Sequence, residues 1–317
     1  MIMKRKTDSV VSNQSSALIQ ENRLQESIRK DLILKTIVCS NEKVLFTDIA
    51  GLEDVKQLIS EAILLPRKYP LFFKSRKTWT KLLLYGPPGT GKTRLAKAAA
   101  YESSSVFFSL SSADLVSSWV GESEKLIQEL FLQASQQKSA VVFIDEVDSL
   151  CRKRTEREDD CTRRVKTELL KQIDGHPNVF LLCATNCPWD LDKAFLRRFQ
   201  RRIYIPLPNA PARRKLFEIH IGEVPCALSK EDFELLINRT EGYSGSDIAD
   251  LCLDALLFPL REHHFAPELK TFYASDSKFT VDEAPLRNVI IEDFLKSLTN
   301  VKTTITADDL NKYQTFI

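Results

Sequence analysis

The chain has 317 residues, enough for one large or two modest domains, each with an apolar core. Its 45 basic and 43 acidic side chains leave a net charge of +2, which favours no nucleic-acid partner. No stretch of 18 apolar residues occurs, and the basic start leads into polar residues, so neither a membrane span nor a secretory signal is predicted. Seven cysteines without a CxxC pair favour buried, reduced thiols over a metal site, and we expect a cytoplasmic protein.

The amino-terminal part is predicted to be a tail and a linker helix over residues 1–40. Residues 1–16 are polar, which is typical of disorder. Over residues 17–38, Leu24, Ile28 and Leu32 recur every four residues and predict an amphipathic helix. A second helical stretch follows, and Pro66 is expected to end it at Leu64.

Apolar runs alternate with helical patterns in the central part of the chain. Strands are predicted at residues 82–85, 106–110, 140–144, 179–184 and 203–205. Runs that are apolar throughout are buried on both faces, which predicts an α/β fold with a five-stranded parallel sheet and helices on both faces. We expect this large α/β domain to cover residues 41–209, and a small helical lid domain to cover residues 210–317.

A glycine-rich segment lies between the first of these strands and a run of good helix formers. Its residues are Gly86, Pro87, Pro88, Gly89, Thr90, Gly91, Lys92 and Thr93. Glycines allow backbone N–H groups to close around phosphate oxygens, and the following helix directs its positive dipole end at them. Lys92 is suited to the β- and γ-phosphates of a nucleotide, and the Thr93 hydroxyl to Mg²⁺. The segment therefore predicts a P-loop that binds ATP and Mg²⁺.

Polar side chains follow the next strands at the positions where catalysis needs them. Asp145 ends the third strand and is predicted to hold Mg²⁺, while Glu146 is predicted to act as the general base on water. Asn186 follows the fourth strand and is suited to orienting the attacking water. Arg197 and Arg198 offer cationic forks to a transferring phosphoryl group.

These motifs, in this order, resemble those of the AAA ATPases of the meiotic clade. Within that family, residues 187–192, 201–208 and 241–248 are similar to the vacuolar protein sorting ATPases that disassemble ESCRT-III polymers. The resemblance implies a homo-oligomer, a hexamer, whose substrate is a protein polymer built from ESCRT-III proteins. It also implies recruitment to endosomal or other membranes through partners.

The resemblance assigns further roles to single residues. Arg197 and Arg198 would act in the site of the adjacent protomer, and Gly245 and Ser246 would lie on the adenine side of the nucleotide. Trp119 and Val120 would lie in a first pore loop that grips the substrate, and Arg154 in a second. The alternative for Trp119 is plain packing, because Val116, Trp119 and Val120 fit one helical face.

The chain also departs from the family pattern. Ser118 stands where a lysine is usual and Leu196 where an arginine is common, and residues 263–288 are short for the insertion that binds a cofactor protein. Residues 1–40 are too short for a three-helix recruiting domain, so recruitment is left open. A microtubule-severing ATPase of the katanin or spastin type is the alternative function. A nucleotide-binding scaffold without hydrolysis would lack Lys92 or Glu146, and a GTPase would carry an Asn-Lys-x-Asp motif.

Overall fold

The computed structural model describes residues 37–38, 43–74, 78–112, 122–153, 160–264 and 286–316. Most of the predicted amino-terminal helix lies outside these residues, as do the predicted pore residues Trp119, Val120 and Arg154. The described chain alternates strands with helices, as the hydrophobic pattern predicts.

The described strands form one six-stranded sheet in the order β1-β3-β4-β5-β2-β6. The strands are β1 (Ile37–Val38), β2 (Lys81–Tyr85), β3 (Val106–Ser111), β4 (Ala140–Asp145), β5 (Phe180–Thr185) and β6 (Arg201–Tyr204). β3, β4 and β5 run parallel, with Val106 opposite Ala140 and Val141 opposite Phe180. The predicted α/β fold class, with its five parallel strands, is confirmed.

Burial explains why these runs are strands. In β4 the side chains of residues 141–144 are all 0% exposed, so both faces of the strand are covered. A helix of the same sequence would turn part of this apolar run toward water. Uniformly apolar strands are therefore typical of a sheet with both faces covered.

Two local predictions were wrong. Ile37–Val38, predicted as the end of a helix, forms the antiparallel strand β1, in which Ile37 lies opposite Phe108. β-branched residues suit a strand, and the free edge of β3 supplies the pairing partner. Pro66 does not end its helix, which runs from Glu53 to Lys68. Proline removes a single N–H donor, and the Tyr69 N–H still donates to the Leu65 carbonyl at 2.9 Å.

The helices follow the predicted positions elsewhere. They are α1 (Glu53–Lys68), α2 (Pro70–Phe73), α3 (Lys92–Glu102), α4 (Glu122–Gln136), α5 (Asp160–Gly175), α6 (Lys193–Leu196), α7 (Ala210–Ile221), α8 (Lys230–Arg239), α9 (Gly245–Leu256), α10 (Phe258–His264), α11 (Ile291–Asn300) and α12 (Ala307–Phe316). Within the described ranges, each helix is too short or too polar to cross a membrane.

The chain folds into two compact units. The first contains residues 60–83 and 96–202, and the second contains residues 45–59, 84–95 and those from 203 onward. The glycine-rich segment thus belongs to the second unit, together with helices α7 to α12. The domain boundary expected near residue 210 stays a prediction.

Each unit has a core of its own. Phe108, Phe131 and Phe143 are fully buried in the first unit. In the second, Phe217 on α7 packs edge-on against Phe294 on α11, with ring centroids 6.3 Å apart. The carboxyl-terminal helix α12 packs against the strand ends of the second unit. Tyr313 lies 5.8 Å from Tyr204, and Phe316 lies 5.2 Å from Tyr85, at the end of β2.

Candidate functional site

The turn between β2 and α3 has the backbone of a phosphate-binding loop. Gly86, Gly89 and Gly91 all have positive φ angles, of 155°, 71° and 86°. A Cβ atom on Gly86 would lie 2.2 Å from the carbonyl oxygen of Ile205, which only glycine avoids. A Cβ atom on Gly91 would meet nothing within 4 Å, so this side of the turn faces open space.

Lys92 closes the turn on itself. This side chain is 7% exposed, and its Nζ donates to the carbonyl oxygens of Gly86 at 2.9 Å and Pro87 at 2.7 Å. The Thr90 hydroxyl donates to the same Pro87 carbonyl at 2.9 Å. The ammonium group is therefore held at the mouth of the turn by neutral oxygens, from which anionic phosphate oxygens would draw it away.

The turn and the helix after it fit a nucleotide with its metal ion. Thr93 is exposed in the first turn of α3, where a helix carries partial positive charge. Open space beside Gly91, a lysine and a helix amino terminus are the groups that a polyphosphate needs. The predicted P-loop residues are therefore brought together as expected.

The lid packs directly against the middle of this turn. The Ser246 backbone N–H donates to the Gly89 carbonyl at 3.2 Å. A Cβ atom on Gly89 would lie 2.7 Å from the Ser244 Oγ and 2.8 Å from the Ser246 Cβ. A Cβ atom on Gly245 would in turn lie 3.0 Å from the Gly89 carbonyl oxygen. Gly245 and Ser246 thus lie beside the P-loop, while their predicted role toward adenine stays a prediction.

The carboxylate pair follows β4 in the first unit. Glu146 is exposed and has left-handed backbone angles, φ 51° and ψ 41°, which are strained for a residue with a side chain. Its N–H donates to the Asp145 Oδ1 at 2.9 Å. Val147, which follows, is 0% exposed. The buried valine and the strained backbone together hold the Glu146 carboxylate at the surface, beyond the strand end.

A hydrogen-bonded tie joins the segment after β4 to the end of β5. The buried Thr185 hydroxyl donates to the Asp148 Oδ1 at 2.7 Å and accepts from the Cys187 N–H at 3.0 Å. Asn186, the predicted water-orienting residue, is half-buried and lies between Thr185 and Cys187 in the chain. The sequence analysis missed Asp148 and Thr185 as a pair, although Asp148 stands only three residues after Asp145.

The two arginines differ in their surroundings. Arg197 is exposed after the last residue of α6. Arg198 is partly buried, and its guanidinium donates to the Asp174 Oδ2 at 3.1 and 3.3 Å and to the Ala194 carbonyl at 2.6 Å. In this single chain, Arg198 is fixed by its own protomer, whereas Arg197 is presented to solvent.

One ionisable group near the P-loop helix escaped the sequence analysis. Burial lowers the pKa of His220 on α7 below its ordinary 6.5, and the charge of Arg94 on α3 lowers it further. The imidazole is therefore neutral at pH 7. A lone histidine in a helical pattern carries no sequence signal for such a position.

Comparison with known proteins gives matches over most of the chain. Residues 82–207 match the family model "ATPase family associated with various cellular activities (AAA)", residues 230–272 the "AAA+ lid domain", and residues 275–317 the "Vps4 C terminal oligomerisation domain". Vacuolar protein sorting-associated protein 4 of Dictyostelium discoideum is 42% identical over 323 residues, covering 92% of this chain and 73% of that protein.

Two further matches come from proteins with other names. A katanin p60 ATPase-containing protein of Danio rerio, of the A-like 1 type, is 42% identical over 301 residues, covering 90% of this chain and 60% of that protein. The solved structure of the FIGL-1 AAA domain in complex with ADP superimposes with a TM-score of 0.80 at 34% identity. That match covers 92% of this chain and 95% of the solved one.

Proposed function

Because this chain belongs to the AAA family of ATPases, we propose that it assembles into a hexamer and uses ATP hydrolysis to disassemble protein polymers of the ESCRT-III kind. One observation carries the proposal: AAA, lid and Vps4 C-terminal oligomerisation segments follow one another from residue 82 to residue 317. Such a protein acts in the cytoplasm, at endosomal or other membranes to which its polymer substrate recruits it.

Nucleotide binding begins at the P-loop. The backbone N–H groups from Gly86 to Gly91 and the amino terminus of α3 take up the phosphate oxygens. Lys92 leaves the carbonyl oxygens of Gly86 and Pro87, to which it donates at 2.9 and 2.7 Å, and binds the β- and γ-phosphates. The Thr93 hydroxyl and the Asp145 carboxylate would hold Mg²⁺, which supplies charge neutralisation between the phosphates.

Hydrolysis then needs a base, an orienting group and a cation. The Glu146 carboxylate accepts a proton from water as its oxygen bonds to the γ-phosphorus, and the bond to the β–γ bridging oxygen breaks to leave ADP. The Asn186 amide orients the water. Arg197 and Arg198 of an adjacent copy would stabilise the negative charge that spreads over the γ-phosphoryl group.

The substitution Glu146→Gln tests the chemistry. The variant should bind ATP normally and hydrolyse it about 10²–10⁴-fold more slowly, because the amide cannot accept the proton. It should also accumulate as an ATP-bound ring, which light scattering measures. Glu223→Gln, the same change at another exposed glutamate, is the control and should hydrolyse normally. Normal hydrolysis by Glu146→Gln would remove Glu146 from the mechanism.

Microtubule severing is the second candidate function. The 42% identity to the katanin relative and the likeness to the FIGL-1 AAA domain favour it. The two functions are separated by giving the protein preassembled ESCRT-III polymer and stabilised microtubules side by side, each with ATP. Release of polymer components into the supernatant supports the first function, and cut microtubules support the second. Glu146→Gln should abolish whichever activity is found.

A further inference from the structure

The P-loop rests on the first turn of the lid helix α9. The Gly89 carbonyl accepts a hydrogen bond from the Ser246 N–H at 3.2 Å. The Ser244 Oγ lies 2.7 Å from where a Cβ atom of Gly89 would be. Ser244 is 1% exposed, so the contact is dry. The position of Gly89 thus depends on the position of this turn.

A buried carboxylate fixes the turn. Asp247 is 3% exposed, and its Oδ2 accepts a hydrogen bond from the Ser244 N–H at 2.8 Å. The Ser244 Oγ accepts from the Asp247 N–H at 3.2 Å, which completes a capping box. These two bonds hold Ser244 at the amino terminus of α9, where it meets Gly89.

The carboxyl-terminal segment holds the same carboxylate from the other side. The Thr304 hydroxyl donates to the Asp247 Oδ1 at 3.1 Å. Beside it, the Tyr243 hydroxyl donates to the Val301 carbonyl oxygen at 2.8 Å. Asp247 therefore uses one oxygen for the turn and the other for the segment that leads into α12.

We propose that Asp247 and Thr304 are positioning residues for the nucleotide: they hold the first turn of α9 against Gly89 and so set the affinity of the P-loop for ADP and ATP. The proposal rests on the proposed nucleotide binding and adds a residue pair that does not belong to the loop. Its physical basis is preorganisation, because a P-loop that must first be ordered binds more weakly than one already held in place.

The test replaces Thr304 by Val, which keeps the shape of the side chain and removes its hydroxyl. The hydroxyl donates to a charged acceptor, so we expect the dissociation constant for ADP to rise about 3- to 10-fold. The KM for ATP should rise with it, while kcat changes less. Thr304→Ser keeps the hydroxyl and should restore the wild-type affinity. Thr303→Val is the matched control at the preceding residue, whose side chain makes no hydrogen bond within the described ranges.

A second variant attacks the pair from the other side. Asp247→Asn offers one accepting oxygen for the two donors, so it should weaken ADP binding in the same direction as Thr304→Val. Melting temperatures without nucleotide are measured in parallel. A Thr304→Val protein that melts earlier but binds ADP as wild type, or that equals Thr303→Val in affinity, overturns the proposal. Failure of the wild type to bind ADP would overturn the proposed function instead.

Discussion

Substitution of two glycines in the same turn separates packing from ligand binding. Gly89→Ala places a methyl group 2.7 Å from the Ser244 Oγ and 2.8 Å from the Ser246 Cβ, at a φ of 71°. A left-handed backbone costs about 1–2 kcal/mol for alanine, and overpacking costs about 1–3 kcal/mol more. We therefore expect Gly89→Ala to lower the free energy of unfolding by about 2–5 kcal/mol.

Gly91→Ala is the matched control. Its φ of 86° carries a similar backbone cost, but the new methyl group meets nothing within 4 Å. The expected loss is about 1–2 kcal/mol, and the two variants should differ in melting temperature by about 2–12 °C. The methyl group of Gly91→Ala would occupy the open side of the turn, so this variant should lose ADP binding about 10-fold or more despite its milder melting.

The assay is a thermal melt of both variants with and without ADP. Equal melting temperatures would mean that the lid does not pack against Gly89 as the structure shows. Gly91→Ala with wild-type ADP affinity would mean that the phosphates do not lie beside this residue.

Three further predictions concern other residues. Arg197→Ala and Arg198→Ala, when combined, should slow hydrolysis about 10³–10⁵-fold, and mixing this variant with a base-deficient one should recover activity at interfaces where both groups are intact. Of the two single changes, only Arg198→Ala should also lower the melting temperature, because Arg198 bonds to Asp174 whereas Arg197 is exposed. Burial lowers the pKa of His220 below 6.5, so stability should fall as the pH drops below that value through the lower folded-state pKa; His220→Gln should flatten this fall in melts between about pH 5 and 7. Trp119→Ala should keep its melting temperature and lose substrate threading; an early melt with full threading would favour the packing role.

The sequence predicted the fold class and the P-loop because both depend on neighbouring residues. A strand that is apolar throughout, such as β4, is recognisable from six residues, and the glycines of the turn need only their own φ angles. The pattern failed at Ile37–Val38, where an available sheet edge outweighed a four-residue repeat. It also failed at Pro66, where one lost N–H donor was too little to end a helix.

The sequence by itself thus determined that the chain has a P-loop, a carboxylate pair after β4 and helices beyond residue 210. Only the tertiary structure decided which groups surround them. It fixed Arg198 on Asp174 while leaving Arg197 exposed, and it brought Ser244 to Gly89. It also joined Thr304 to Asp247. Residues so far apart in the chain leave no local periodicity, since their contact exists only once packing has excluded water and each buried polar group has found its partner.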